Sequence, residues 1–181
     1  MNWQRSALVL RRLTYRNRVR GTPLQRCWDT PVVFDKSDWR RCSFLACDAE
    51  MSSLDPTSGE LLSLGWVLLE KGAIRLDTAE HFLLQPGGTV GQSATIHHLR
   101  DCEFGDAQAP QEVARRFLHA AAGRTLVFHN ARLDMAFLNS VCRKLYGAPL
   151  LLPHVDTLQS ESRAMHRRNL PVKQGDLRLQ A

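Results

Sequence analysis

Two acidic residues, Asp48 and Glu50, have the types and the spacing that suit metal chemistry. They follow the apolar run at residues 44–47 in the stretch FLACDAEM, with one alanine between them. Residues two apart in a β-strand face the same side, which places their Cβ atoms about 6–7 Å apart. Their repulsion at the end of a buried strand would force one carboxyl to take up a proton unless a cation lay between them. Because Asp-x-Glu is common at strand ends in solvent, this pair alone predicts no site.

Asp134 is a third acid, and it favours the metal site. Its position places it on the apolar face of a helix, one turn before the core residues Phe137, Leu138, Val141 and Leu145. A charge there is costly unless it is paired, and no lysine or arginine lies on that helix face. The compensating cation must come from elsewhere in the fold or from metal. We therefore predict that Asp48, Glu50 and Asp134 share a site for two Mg²⁺ or Mn²⁺ ions, since these ions prefer carboxylate oxygens.

The elements that would position these acids form an α/β pattern. Strands are predicted at residues 44–47, 61–69 and 74–85, and their short connections predict an antiparallel three-strand meander. The next predicted elements are a helix beginning at Pro110, a strand at 124–128, a helix at 131–146 and a helix opened by Asp156 in a capping box. The order predicts a mixed sheet flanked by helices.

The N-terminal segment has a different composition. Residues 1–41 contain ten Lys/Arg and three Asp/Glu, so they hold all the excess of the net charge of +6. We divide the chain into a basic extension, 1–41, with a helix at 5–19 and an irregular linker at 22–41, and a domain at 42–181. The arginines at positions 11, 12, 16, 18 and 20 suit nucleic-acid phosphates, a docking partner or simply a solvated amphipathic helix.

Location is indicated only by composition. No apolar run is long enough to span a membrane. The five scattered cysteines favour reduced thiols and a cytoplasmic protein. The arginine-rich start, with no acid before Asp29, also resembles a mitochondrial transit peptide.

Three stretches in order resemble the DEDD superfamily of 3′→5′ exonucleases, in particular the type of the proofreading epsilon subunit of DNA polymerase III. Residues 44–65 resemble its first motif, and residues 126–138, LVFHNARLDMAFL, resemble the second. Residues 94–101, ATIHHLRD, resemble the stretch between them. Ser52-Ser53 and Leu133 depart from the usual residues without removing an acid.

The resemblance implies a ribonuclease H-like fold and a two-metal hydrolase that releases 5′-mononucleotides from single-stranded 3′ ends. It favours DNA over RNA and leaves the sugar type open. It implies that Asp48, Glu50 and Asp134 are the metal ligands. It assigns substrate contacts to Met51, Leu54, His97 and Asn130. A DNA polymerase subunit is the implied partner, and proofreading or repair the implied role. Two alternatives remain: an inactive exonuclease-fold module that binds nucleic acid or a polymerase, and an RNA-directed exonuclease similar to oligoribonuclease or ribonuclease T.

The third motif of this superfamily, His-x4-Asp or Tyr-x3-Asp, has no match in residues 150–181. The expected consequence is a C-terminally incomplete fold with weak activity, through truncation, natural degeneracy or completion by another chain. Asp156 is predicted to be a helix N-cap rather than a fourth ligand. We predict packing roles for Cys47 and Trp66, and surface or satisfied core positions for His81, His98 and His119.

Overall fold

The structure, a computed structural model, describes residues 2–33, 38–85 and 107–170. Within these segments, five strands form one sheet in the order β3-β2-β1-β4-β5. Their bounds are Ser43–Met51 (β1), Leu61–Glu70 (β2), Ala73–Leu83 (β3), Thr125–Phe128 (β4) and His154–Asp156 (β5). β1, β2 and β3 form an antiparallel meander, while β4 pairs parallel with β1 and with β5. The predicted mixed sheet is confirmed.

The described segments also contain five α-helices. They are Asn2–Tyr15 (α1), Pro23–Asp29 (α2), Pro110–Ala121 (α3), Ala131–Tyr146 (α4) and Thr157–Arg167 (α5). α4 ends where predicted, at Gly147, which has a φ of 69° in the left-handed region that glycine adopts easily. None of the described helices is long and apolar enough to span a bilayer.

Three elements differ from the prediction. α1 ends at Tyr15 instead of residue 19, because the chain turns there and buries Val19 in the core. α2 lies in the stretch predicted to be an irregular linker, and it begins at a capping Thr22, whose side chain accepts from the N–H of Gln25, followed by Pro23. A Thr-Pro pair is an N-cap followed by the favoured first helical residue, so the signal was present in the sequence. β5 has only three residues, too few for a period to be visible. It exists because its backbone pairs with β4.

The N-terminal extension is part of the main hydrophobic core. Val19, Leu24, Cys27 and Trp28 are buried in the same cluster as β1, α3 and α4. The Trp28 indole N–H donates to the Leu150 carbonyl at 2.6 Å. This packing orders a segment whose sequence shows mainly positive charge.

Arg12 fastens α1 to the rest of the chain. Its guanidinium donates twice to the Leu151 carbonyl, at 2.8 and 3.1 Å, and once to the Trp28 carbonyl at 3.0 Å. Arg12 is therefore used internally and is not free for a phosphate. The other four arginines considered above, at positions 11, 16, 18 and 20, are exposed.

Candidate active site

β1 presents Asp48 and Glu50 on one face of the sheet. Leu45, Cys47 and Ala49 are buried on the opposite face, whereas Asp48 and Glu50 are exposed. The strand alternation thus puts both acids on the same side, as the sequence predicts. Cys47 packs in the core, and burial is the main reason that the pKa of its thiol is strongly raised. Cys47 thus lies on the face of β1 opposite to the two acids.

Asp134 approaches β1 from the first turn of α4. Its side chain is only 7% exposed, and it lies on the buried face of the helix together with Phe137 and Leu138. Burial raises the pKa of its carboxyl from 3.8 to about 6; hydrogen bonds from its own backbone N–H and from that of Ala49 oppose the rise. The negative charges of Asp48 and Glu50 raise the pKa further. The fold therefore brings the three predicted acids within electrostatic reach of one another.

The chemistry of this set fits a divalent cation. All three side chains offer carboxylate oxygens, the ligands that Mg²⁺ and Mn²⁺ prefer. Among the described residues Asp134 has no ion pair with a lysine or arginine. However, within the three described segments no three His, Cys, Asp or Glu side chains stand close enough to hold one ion as placed. The three acids have the right ligand type for a divalent cation, but their side chains would have to change conformation to bind one ion together.

The junction between β4 and α4 is held by a residue from a later strand. Asn130, at the start of α4, has a left-handed φ of 66° and makes no side-chain capping bond. Asp156 supplies the missing acceptor, because its carboxylate accepts from the N–H groups of Asn130 at 3.2 Å and Ala131 at 3.1 Å. Asp156 also accepts from the Gln159 N–H at 3.2 Å, which confirms that it is the N-cap of α5. The sequence pattern indicated the α5 cap alone.

The predicted substrate residues lie in different surroundings. Met51 ends β1 and is partly buried against the core, while Leu54, in the following loop, is 83% exposed. The Asn130 side chain is exposed. His97 and His98 lie outside the described residues. Within the described residues, exposed positions for His81 and His119 and core positions for Cys47 and Trp66 agree with the prediction.

The loop after β1 is fixed next to α4. Gly59 lies so close to its neighbours that a Cβ there would meet the Ser53 Cβ at 2.8 Å and the Phe137 ring at 3.0 Å. The Asp55 carboxylate accepts from the Thr57 N–H at 2.9 Å and from the Ser58 hydroxyl at 2.9 Å, which tightens the turn. The exposed Leu54 is therefore held in a defined loop beside the helix that contains Asp134.

Comparison with known families gives this arrangement a context. The sequence model of the RNase_T family, described as exonuclease, matches residues 45–174. The chain belongs to this exonuclease family. The match covers both β1 with its two acids and α4 with Asp134, so the predicted family resemblance is confirmed.

The curated relatives are much longer proteins. A DNA polymerase III PolC-type protein of Thermotoga petrophila is 28% identical over 123 residues, which are 67% of this chain and 9% of that protein. A DNA polymerase III subunit epsilon-like protein of Rhodobacter capsulatus is 32% identical over 100 residues, which are 54% of this chain and 14% of that protein. The chain thus spans about a tenth of the length of the PolC-type relative, and its alignment covers a similarly small part of the epsilon-like one.

Solved structures agree on the fold. E. coli exonuclease I in complex with a dT13 oligonucleotide superposes with a TM-score of 0.57 at 15% sequence identity, over 68% of this chain and 29% of that one. A zinc-bound form of the E. coli exonuclease I complex with single-stranded DNA gives a TM-score of 0.56 at 14% identity, over 68% and 29%. The predicted ribonuclease H-like exonuclease fold is confirmed.

Proposed function

We propose that this chain is a divalent-metal-dependent 3′→5′ exonuclease that acts on single-stranded 3′ ends, DNA in preference to RNA, and releases 5′-mononucleotides. The observation that supports it most is the placement of Asp134. A carboxylate that is 7% exposed and repelled by Asp48 and Glu50 has no basic partner among the described residues. A divalent cation is the partner that would neutralise it.

The acids, Met51 and Leu54 have different roles in this proposal. Asp48, Glu50 and Asp134 would hold Mg²⁺ or Mn²⁺, two ions in all, and the bound metal would supply water activation and neutralisation of phosphodiester charge. Leu54, exposed in its fixed loop, offers an apolar surface to the terminal base. Met51, partly buried at the end of β1, would pack on the same base. A single-stranded 3′ end and a DNA polymerase subunit are the proposed partners, in line with the names of the relatives.

An inactive module that binds nucleic acid or a polymerase is the second candidate. It is favoured by the lack of any ready three-residue metal cluster within the described segments. It is also consistent with the exposed arginines of the N-terminal extension. Such a module would bind an oligonucleotide without shortening it.

The test is shortening of a 5′-labelled single-stranded oligonucleotide by the purified chain, with Mn²⁺, with Mg²⁺ and with chelator. We expect a ladder from the 3′ end that requires metal and falls to background in Asp48→Asn and Asp134→Asn. Asp77→Asn is the matched control, because Asp77 is an exposed acid on β3 paired with Arg75 at 2.8 Å. Binding with no shortening would refute catalysis and leave the second candidate.

The same assay tests the nucleic acid. DNA and RNA oligonucleotides of one sequence are compared side by side, and we expect faster shortening of DNA. Faster shortening of RNA would refute the DNA preference and favour an RNA-directed enzyme.

A further inference from the structure

The Asp156 carboxylate lies where two helices begin. One oxygen accepts from the N–H groups of Asn130 and Gln159, and the other accepts from the N–H of Ala131. The first N–H groups of a helix have no partner within the helix, so a single carboxylate here satisfies donors at the starts of both α4 and α5. Its negative charge also lies at the positive ends of two helix dipoles.

Thr157 reinforces this contact. Its hydroxyl donates to the Phe128 carbonyl at 3.2 Å and contacts Nδ1 of His129 at 3.0 Å. We call Asp156 and Thr157 together the Asp156–Thr157 clamp. The clamp binds the four consecutive residues 128–131, which join β4 to α4.

The position of Asp134 depends on this junction. Asp134 lies three residues after Ala131, in the same first turn of α4, and it accepts a hydrogen bond from the Ala49 N–H of β1. Asn130 makes no side-chain cap of its own, so the start of α4 relies on an acceptor from β5. A shift of that turn would move the Asp134 carboxylate relative to Asp48 and Glu50.

We propose that Asp156 is a positioning residue, which fixes the first turn of α4 and so places Asp134 against β1 without itself touching metal or substrate. This inference rests on the proposed function, in which Asp134 is a metal ligand. Groups that orient metal ligands typically contribute about 10–100-fold to metal affinity or activity, and we expect an effect in that range.

Three substitutions separate a capping role from a ligand role. Asp156→Asn keeps an acceptor and is a good N-cap, but it replaces the oxygen that accepts from Ala131 with an NH₂ group. Asp156→Glu keeps a carboxylate but is too long to cap, and Asp156→Ala removes the acceptor. Capping predicts that Asn retains more Mn²⁺ affinity than Glu or Ala. A metal-ligand role predicts that Glu retains more than Asn, and that order would overturn the proposal.

A cap elsewhere in the fold provides the control. Thr22→Ala removes the N-cap of α2, which accepts from the Gln25 N–H at 3.3 Å. Three quantities are measured for each variant. Calorimetry gives the Mn²⁺ affinity, the oligonucleotide assay gives kcat and KM, and hydrogen exchange reports on the Ala131 amide. We expect weaker Mn²⁺ binding, lower kcat with unchanged KM and faster Ala131 exchange in the Asp156 variants, and none of these in Thr22→Ala.

The measurements distinguish failure of the inference from failure of the proposed function. Wild-type Mn²⁺ affinity in folded Asp156→Asn and Asp156→Glu would overturn the positioning role while the metal site stands. If the wild-type chain bound no Mn²⁺, the proposed function would fail, and Ala131 exchange would still decide whether Asp156 holds α4. Unchanged Ala131 exchange in Asp156→Asn and Asp156→Ala would show that Asp156 does not hold the start of α4.

Discussion

Replacing Asp134 with asparagine should stabilise the metal-free protein at neutral and alkaline pH. The folded chain raises the pKa of this carboxyl from 3.8 to about 6, so ionised Asp134 is less favourable in the folded state than in the unfolded state. At about 1.4 kcal/mol per pH unit, the penalty removed by an uncharged side chain is at most about 3 kcal/mol. The substitution is nearly isosteric, and the amide oxygen can still accept from the Ala49 N–H.

The pH dependence identifies the cause. Between about pH 4 and pH 6 the folded wild-type chain binds more protons at Asp134 than the unfolded chain, so this residue lowers the free energy of unfolding as pH rises. The penalty is complete above about pH 7 and absent below about pH 3, where the carboxyl is neutral in both states. The advantage of Asp134→Asn should therefore grow from pH 4.5 to pH 8.

Urea unfolding with chelator present, at several pH values, measures this advantage. Asp48→Asn is the comparison variant. Asp48 is exposed, and its charge raises the pKa of Asp134 less than burial does, so this substitution should increase the free energy of unfolding less than Asp134→Asn does. Adding Mn²⁺ should stabilise the wild-type chain more than Asp134→Asn. An advantage that does not change with pH, or an Asp134→Asn protein less stable at pH 8, would refute the reasoning.

Three further predictions concern the rest of the fold. Arg12→Ala should lower the free energy of unfolding in urea by about 2–3 kcal/mol, because it removes three charged hydrogen bonds to partly buried carbonyls. The control Arg11→Ala, at an exposed position, should lower it little. Equal losses would contradict the docking of α1. Gly59→Ala should cost about 1–3 kcal/mol in the same measurement, since its Cβ would meet another Cβ at 2.8 Å; wild-type stability would show that the loop adjusts freely. Cys47 should resist iodoacetamide at pH 8 in the native chain and react in urea, as judged by peptide mass spectrometry, because its buried thiol has a raised pKa; rapid native alkylation would place it at the surface.

Much of the candidate site could be predicted from the sequence because its signals are local. The two-residue period of β1 puts Asp48 and Glu50 on one face, and the helical period of α4 puts Asp134 among core residues. Both periods arise from backbone geometry within a few residues. The meander and the end of α4 at Gly147 were predictable for the same reason.

Only the tertiary structure decided how these pieces are held together. The basic N-terminal segment supplies Trp28 to the core, and Asp156 caps a helix that begins 25 residues earlier in the chain. Neither contact leaves a sequence period, since each joins groups that meet only after the sheet has formed. The raised pKa of Asp134 has the same origin, because burial and the charges of β1 act across space. The sequence by itself determined which acids face inward or share a strand face, and the fold decided what surrounds and supports them.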